Sequence, residues 1–87
     1  MRKKILIFII TYKSSYRVVD VIKKIPFDYL KNHYFELFIS DDCSNDDTIN
    51  YINQLKLKYK AKLNININKV NLGYGGNIKK CLNFAFK

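Results

Sequence analysis

Apolar and polar positions divide the chain into segments with two different periods. Residues 5–10, ILIFII, are continuously apolar and rich in β-branched side chains. That is the pattern of a strand covered on both faces. Over TYKSSYRVVDVIKKIP, Val18, Val21, Ile22 and Ile25 recur at helical spacing. Ser14 or Ser15 can cap this helix and Pro26 stops it. FDYLKNHY has no clear period and reads as an irregular connection. Residues 35–40 form a second strand. Ser44, with Asp47 three residues later, makes a capping-box-like pattern. It opens a helix that buries Ile49, Ile52, Leu55 and Tyr59. KLNININKV then alternates strictly, with Leu63, Ile65 and Ile67 on one side and Asn64, Asn66 and Asn68 on the other. Such alternation predicts a half-exposed strand at a sheet edge. NLGYGGN breaks the pattern, and Ile78, Cys81, Leu82 and Ala85 mark a last helix.

The order β-α-β-α-β-α predicts an α/β fold with three parallel strands joined by right-handed crossovers. The apolar first strand belongs inside the sheet and the alternating third at its edge, which gives the spatial order 3-2-1. This is half of a doubly wound, Rossmann-like nucleotide-binding sheet. The first strand lacks a neighbour on its other side, and no later segment supplies one. Residues 1–87 therefore read as a single truncated half-domain. The unpaired side of the first strand invites self-association.

Composition changes this picture little. Apolar residues are 48% and aromatics 15% of 87 residues, a globular composition for a small domain of marginal stability. The net charge of +9 comes mostly from lysines scattered along the chain. A diffuse field of that kind is unlike the Arg-rich patch of a nucleic-acid reader, so no nucleic-acid partner is expected. Cys43 and Cys81 lie far apart, with no CxxC and one histidine, His33. Neither a disulfide framework nor a zinc site follows, which fits a reducing, cytoplasmic setting. The apolar run at residues 5–10 is too short to cross a bilayer, and no transmembrane segment is expected.

The candidate chemistry lies in three loops that parallel topology brings to one edge of the sheet: TYKSS, DDCSNDDT and NLGYGGN. Ligands of open α/β sheets bind outside the carboxyl ends of the strands. Asp46 and Asp47 fit a helix start, where the dipole favours negative charge. Asp41 and Asp42 end a strand, and adjacent side chains there point to opposite sides. One can brace the loop while the other accepts a base N–H or a ribose hydroxyl. A divalent cation is the alternative, although metal sites usually draw ligands from more than one segment. Gly73, Gly75 and Gly76 allow close backbone approach, and Lys79 and Lys80 follow near a helix start where phosphate can sit. Tyr12 can stack on a base. Cys43 is a poor nucleophile beside carboxylates, which raise a thiol pKa.

These three loops resemble the signatures of a family 2 inverting glycosyltransferase of the GT-A fold. FIITYKS is similar to its first-strand motif ending in Pro-Thr-Tyr-Asn-Glu. FISDDCSNDDT is similar to Asp-Asp-Gly-Ser-Thr-Asp-Gly-Thr, and NLGYGGNIKK to Asn-x-Gly-x-Gly-Gly. The run VIKKIP leans towards the polyprenyl- and dolichol-phosphate sugar synthases. The resemblance implies that Tyr12 lies against the base and that Asp42 recognises it. It implies that Asp41 supports the loop and that Gly75, Gly76 and Asn77 line the pocket. The partner would be a UDP- or GDP-sugar. A full-length relative would work at the inner face of a membrane and transfer the sugar with inversion, using Mg²⁺ or Mn²⁺. Ile10 replaces the family's Pro, Lys13 and Ser14 its Asn-Glu pair, and Cys43 a Gly. No Asp-x-Asp metal motif occurs in the 87 residues, and no segment matches the family's catalytic base. The chain alone is thus expected to be inactive and to need no metal of its own. A non-enzymatic nucleotide- or partner-binding module stays open, as does a small basic domain that binds nucleic acid or an anionic surface.

Overall fold

A computed structural model describes residues 4–86. The chain runs β1 (Lys4–Thr11), α1 (Arg17–Lys23), α2 (Phe27–Leu30), β2 (Tyr34–Asp41), α3 (Thr48–Tyr59), a single 3₁₀ turn (Lys60–Lys62), β3 (Leu63–Ile67) and α4 (Gly73–Ala85). The three strands form one parallel sheet in the order β1-β2-β3. The expectation that the first strand is interior is corrected for the described residues. β1 lies at one edge and most of its apolar side chains are half-buried, whereas Leu37 and Ile39 of central β2 are fully buried.

Alternate side chains of each strand feed two layers. Ile9, Leu37, Ile39 and Leu63 pack with Val18 and Ile22 of α1 and with Ile52 and Leu55 of α3. On the opposite face, Phe8 meets Phe38 edge-on and Phe38 meets Phe84 of α4 at 4.4 Å between ring centroids. One face therefore carries α1, α3 and, through Phe27, the short α2, and the other only α4, which leaves open grooves on that side.

Two local expectations fail for identifiable reasons. Neither serine caps α1: its N-cap is Tyr16, with no side-chain cap. Arg17 N–H donates instead to the Ser14 carbonyl at 3.0 Å, and the Ser14 hydroxyl has no partner among the described residues. The connection after Pro26 contains the short helix α2, four residues with too little sequence to show a period. β3 is the half-exposed edge strand that its alternation predicts, and Asn68, just past its end, is buried by its bonds to Asp42 and Asn77.

Candidate functional site

The carboxyl ends of β1, β2 and β3 bring residues 12–16, 42–47 and 68–72 together, and side chains staple these loops to one another. Asp41, fully buried, is the central staple. Its Oδ1 accepts from the Thr11 hydroxyl at 2.6 Å and the Ser44 hydroxyl at 2.8 Å, and its Oδ2 accepts from Ser44 N–H at 2.8 Å. Ser44 in turn accepts from Lys13 N–H at 2.7 Å, and Thr48 accepts from Ser15 N–H at 2.8 Å. The first two loops are thereby locked. Ser44, expected as half of a capping box, is a loop brace instead. α3 begins at Thr48, whose N–H donates to Asp46 at 3.0 Å, while Asp47 makes no side-chain cap.

Asp42 points the other way, as alternation requires, and locks the third loop. Leu72 N–H donates to its Oδ1 at 2.6 Å, Gly73 N–H to its Oδ2 at 3.0 Å, and the Asn68 amide to its Oδ1 at 3.1 Å. The Leu72 N–H, with the Asn68 amide and Gly73 N–H, holds this carboxyl below its ordinary value of 3.8 against the opposing effect of burial. Asp42 is 7% exposed and serves as the anionic cap of α4. An outward, ligand-facing Asp42 is therefore not what the fold presents.

Behind Asp42 runs a polar chain whose members, apart from Asn77, were not singled out from the sequence. Asn68 also donates to the Asn77 carbonyl oxygen at 2.9 Å, Ser40 donates to the same atom at 2.7 Å, and Asn66 donates to Ser40 and Asn68. Asn77 closes the chain by donating to the Gly73 carbonyl at 2.8 Å. It is fully buried and so braces the helix start rather than lining an open pocket. The only sequence signal for this chain is asparagine at every second position of a strand, which imitates a wetted face.

The three glycines belong to α4 itself, which starts earlier than the pattern implies. Gly73 has φ +73. A methyl at Gly76 would meet the Leu72 Cβ at 2.5 Å, so any side chain there would force Leu72 to shift. Gly75 is different: it is exposed, and nothing stands within 4 Å of where its Cβ would lie. The earlier start also displaces Lys79 and Lys80. They lie six and seven residues into the helix, about 9–10 Å along its axis, and no longer at its N-terminus. Since Asp42 already neutralises that terminus, a phosphate site there is unsupported. Tyr12 is 49% exposed at the same edge, with Lys13 Nζ 5.3 Å from its ring centroid.

Three non-glycine residues in these loops have left-handed backbone: Lys13 at φ 49, Ser15 at φ 52 and Cys43 at φ 61. Each such residue costs on the order of 1–2 kcal/mol. The cost is carried by the staples, since Lys13 and Ser15 are the residues whose N–H groups bond Ser44 and Thr48. The Cys43 thiol donates to the Lys69 carbonyl at 3.3 Å and joins the second loop to the third.

The donor set does not fit a divalent cation. Asp41 and Asp42 face opposite ways with their oxygens engaged, and no group of three or more acidic, His or Cys side chains suited to a metal occurs among the described residues. No helix of the described residues is long and apolar enough to cross a membrane. The chain matches no family model, no curated protein and no solved structure.

Proposed function

We propose that this edge of the sheet recognises the nucleoside of a nucleotide-sugar, in the manner of the donor-binding half of a family 2, GT-A glycosyltransferase. One observation carries the reading. The left-handed backbone falls on Lys13 and Cys43, the positions where the resembled family carries Asn and Gly. Asn and Gly are the residues that adopt this conformation at least cost. The loops thus keep a backbone shape that their own residues do not favour, which is typical of a shape kept for a ligand. Gly75 adds to it. An exposed helical glycine with open space beside it costs stability relative to alanine and leaves room for a ligand to approach the backbone.

In this reading the exposed Tyr12 ring stacks on the base. Asp41, Asp42 and Asn77 position the loops, and Asp42 sets the start of α4 rather than reading the base. Sugar transfer with inversion belongs to a full-length relative, where a metal would balance the diphosphate charge and a base would deprotonate the acceptor. No metal-holding or base role is assigned to the residues of this chain.

Calorimetric titration with UDP and with GDP tests the proposal. One of the two should bind, and Tyr12→Ala should weaken that binding about tenfold, the worth of one base stacked on an aromatic ring. Failure of both nucleotides to bind at millimolar concentration would sink the reading. Sugar transfer by the purified chain would overturn the expectation that it is inactive alone.

A further inference from the structure

The second open edge of the sheet carries chemistry of its own. Asn68 N–H donates inward to the Asp41 carbonyl. In a strand, successive residues direct their backbone groups to opposite sides, so Asn64, Asn66 and Asn68 pair with β2 while Leu63, Ile65 and Ile67 point outward. The Lys56 ammonium confirms the direction, since it donates to the Leu63 carbonyl. That lysine covers the first outward carbonyl. The N–H and C=O groups of Ile65 and Ile67 have no protein partner among the described residues.

Beside these free groups runs an open groove between β3 and α4. One part, about 630 Å³, has Phe38 and Phe84 in its floor and Lys56 and Lys80 at its sides. A second part of about 350 Å³ shares Asn66 and Lys80 with the first and continues to Lys69. No carboxylate lines either part. A strand edge with unpaired backbone groups, an apolar floor and a row of lysines fits one kind of occupant. The geometry points to an extended acidic segment of another protein that adds to β3 as a fourth strand. The backbone of Ile65 and Ile67 pairs with it, the half-buried Phe84 ring takes an apolar side chain on the α4 face, and Lys56, Lys69 and Lys80 set a positive field around it that attracts its carboxylates. This surface adjoins the third loop at Lys69 and Leu72 but includes neither Tyr12 nor Gly75.

Fluorescence anisotropy with a labelled Glu-Val-Glu-Val-Glu-Val-Glu peptide tests the inference. The peptide should bind more tightly than about 1 mM, and more weakly as salt rises. Replacing its central valine by proline keeps all four charges but removes a ladder N–H, and should lower affinity at least about fivefold. Ile67→Pro deletes an outward N–H of β3 without touching an inward bond, and should have the same effect. Lys80→Glu, on the surface of α4, should lower affinity further. Circular dichroism and a thermal midpoint near wild type confirm that both variants are folded. Equal binding of the valine and proline peptides, or unchanged affinity in both variants, would overturn strand addition. Tighter binding of a ten-nucleotide oligouridylate would overturn the choice of partner.

Discussion

At the residue scale, Asp41 and Asp42 show how two adjacent carboxylates divide one task. Strand alternation sends Asp41 towards Thr11 and Ser44 and Asp42 towards Leu72, Gly73 and Asn68. Each ties β2 to a different loop. Asp42 and Asp46 both have carboxyl pKa values below the ordinary 3.8, Asp42 through Leu72 N–H first and Asp46 through the Thr48 hydroxyl first. A depressed folded-state pKa contributes stability that is complete above the unfolded value and is lost as pH falls through the folded one. Urea midpoints should therefore be level above about pH 5 and fall below about pH 4. Asp42→Asn should flatten that fall; an unchanged acid slope would remove Asp42 from the account. Cys43 offers a second test. Its φ of 61 suits glycine, so Cys43→Gly should raise unfolding free energy by up to about 1 kcal/mol, less the weak thiol bond to Lys69. A loss of stability in urea titration would mean that the thiol contact outweighs the backbone strain.

At the element scale, α4 joins fold and site. Its first turn holds glycines with opposite constraints. Gly76→Ala drives a methyl into Leu72 and should destabilise by about 1–3 kcal/mol, as overpacking does. Gly75→Ala meets nothing and should stabilise by up to about 1 kcal/mol through helix propensity. Thermal unfolding of the two variants separates them, and equal effects would contradict the geometry. α3 shows a second device at its other end. Lys56 donates to the Lys60 and Leu63 carbonyls, which satisfies the helix C-terminus and covers the head of edge strand β3 with one charge. Much of this scale was legible in the sequence. The apolar run gives β1, strict alternation gives β3, and Ile52 and Leu55 mark the buried face of α3. The starts of α1, α3 and α4 were not legible, because Ser14, Ser44 and Gly73 can each open a helix or brace a loop. For Ser44 and Gly73 which one happens depends on partners about thirty residues away, Lys13 and Asp42.

At the scale of the whole molecule, a three-stranded sheet has little core to spare. Stability per residue in folded domains implies a total of roughly 4–13 kcal/mol for a chain of this size. Leu37 sits at the centre of β2 with no exposure, and Leu37→Ala should cost about 2–5 kcal/mol. Circular dichroism melts should show its thermal midpoint lowered by at least about 8 °C, and a midpoint within a few degrees of wild type would refute so thin a margin. The two sheet edges are unequally guarded. β3 carries Lys56 at its head and asparagines beside it. On β1, Thr11 accepts inward from Asp42 N–H, so Leu6, Phe8 and Ile10 turn their backbone groups outward, with Lys4 the one charged residue of the strand among the described residues. Self-association should therefore run through β1. Phe8→Lys is too disruptive a test because Phe8 packs on Phe38, whereas Leu6→Lys should reduce light scattering at high concentration.

The sequence by itself determined what depends on local pattern: three strands, the main helices, their parallel order in the chain, and three loops at one edge. Period and topology are properties of neighbouring residues and of chain direction, so no distant partner had to be known. Only the tertiary structure decided what the polar side chains in those loops do. Asp42 could have faced a ligand, and Asn66 and Asn68 could have faced water. α4 packs over β1 and β2, its start offers Leu72 and Gly73 N–H groups to Asp42, and buried polar atoms must find partners. The same closure turned an apparent row of ligand-facing residues into the frame that holds Tyr12 and Gly75 at the open edge.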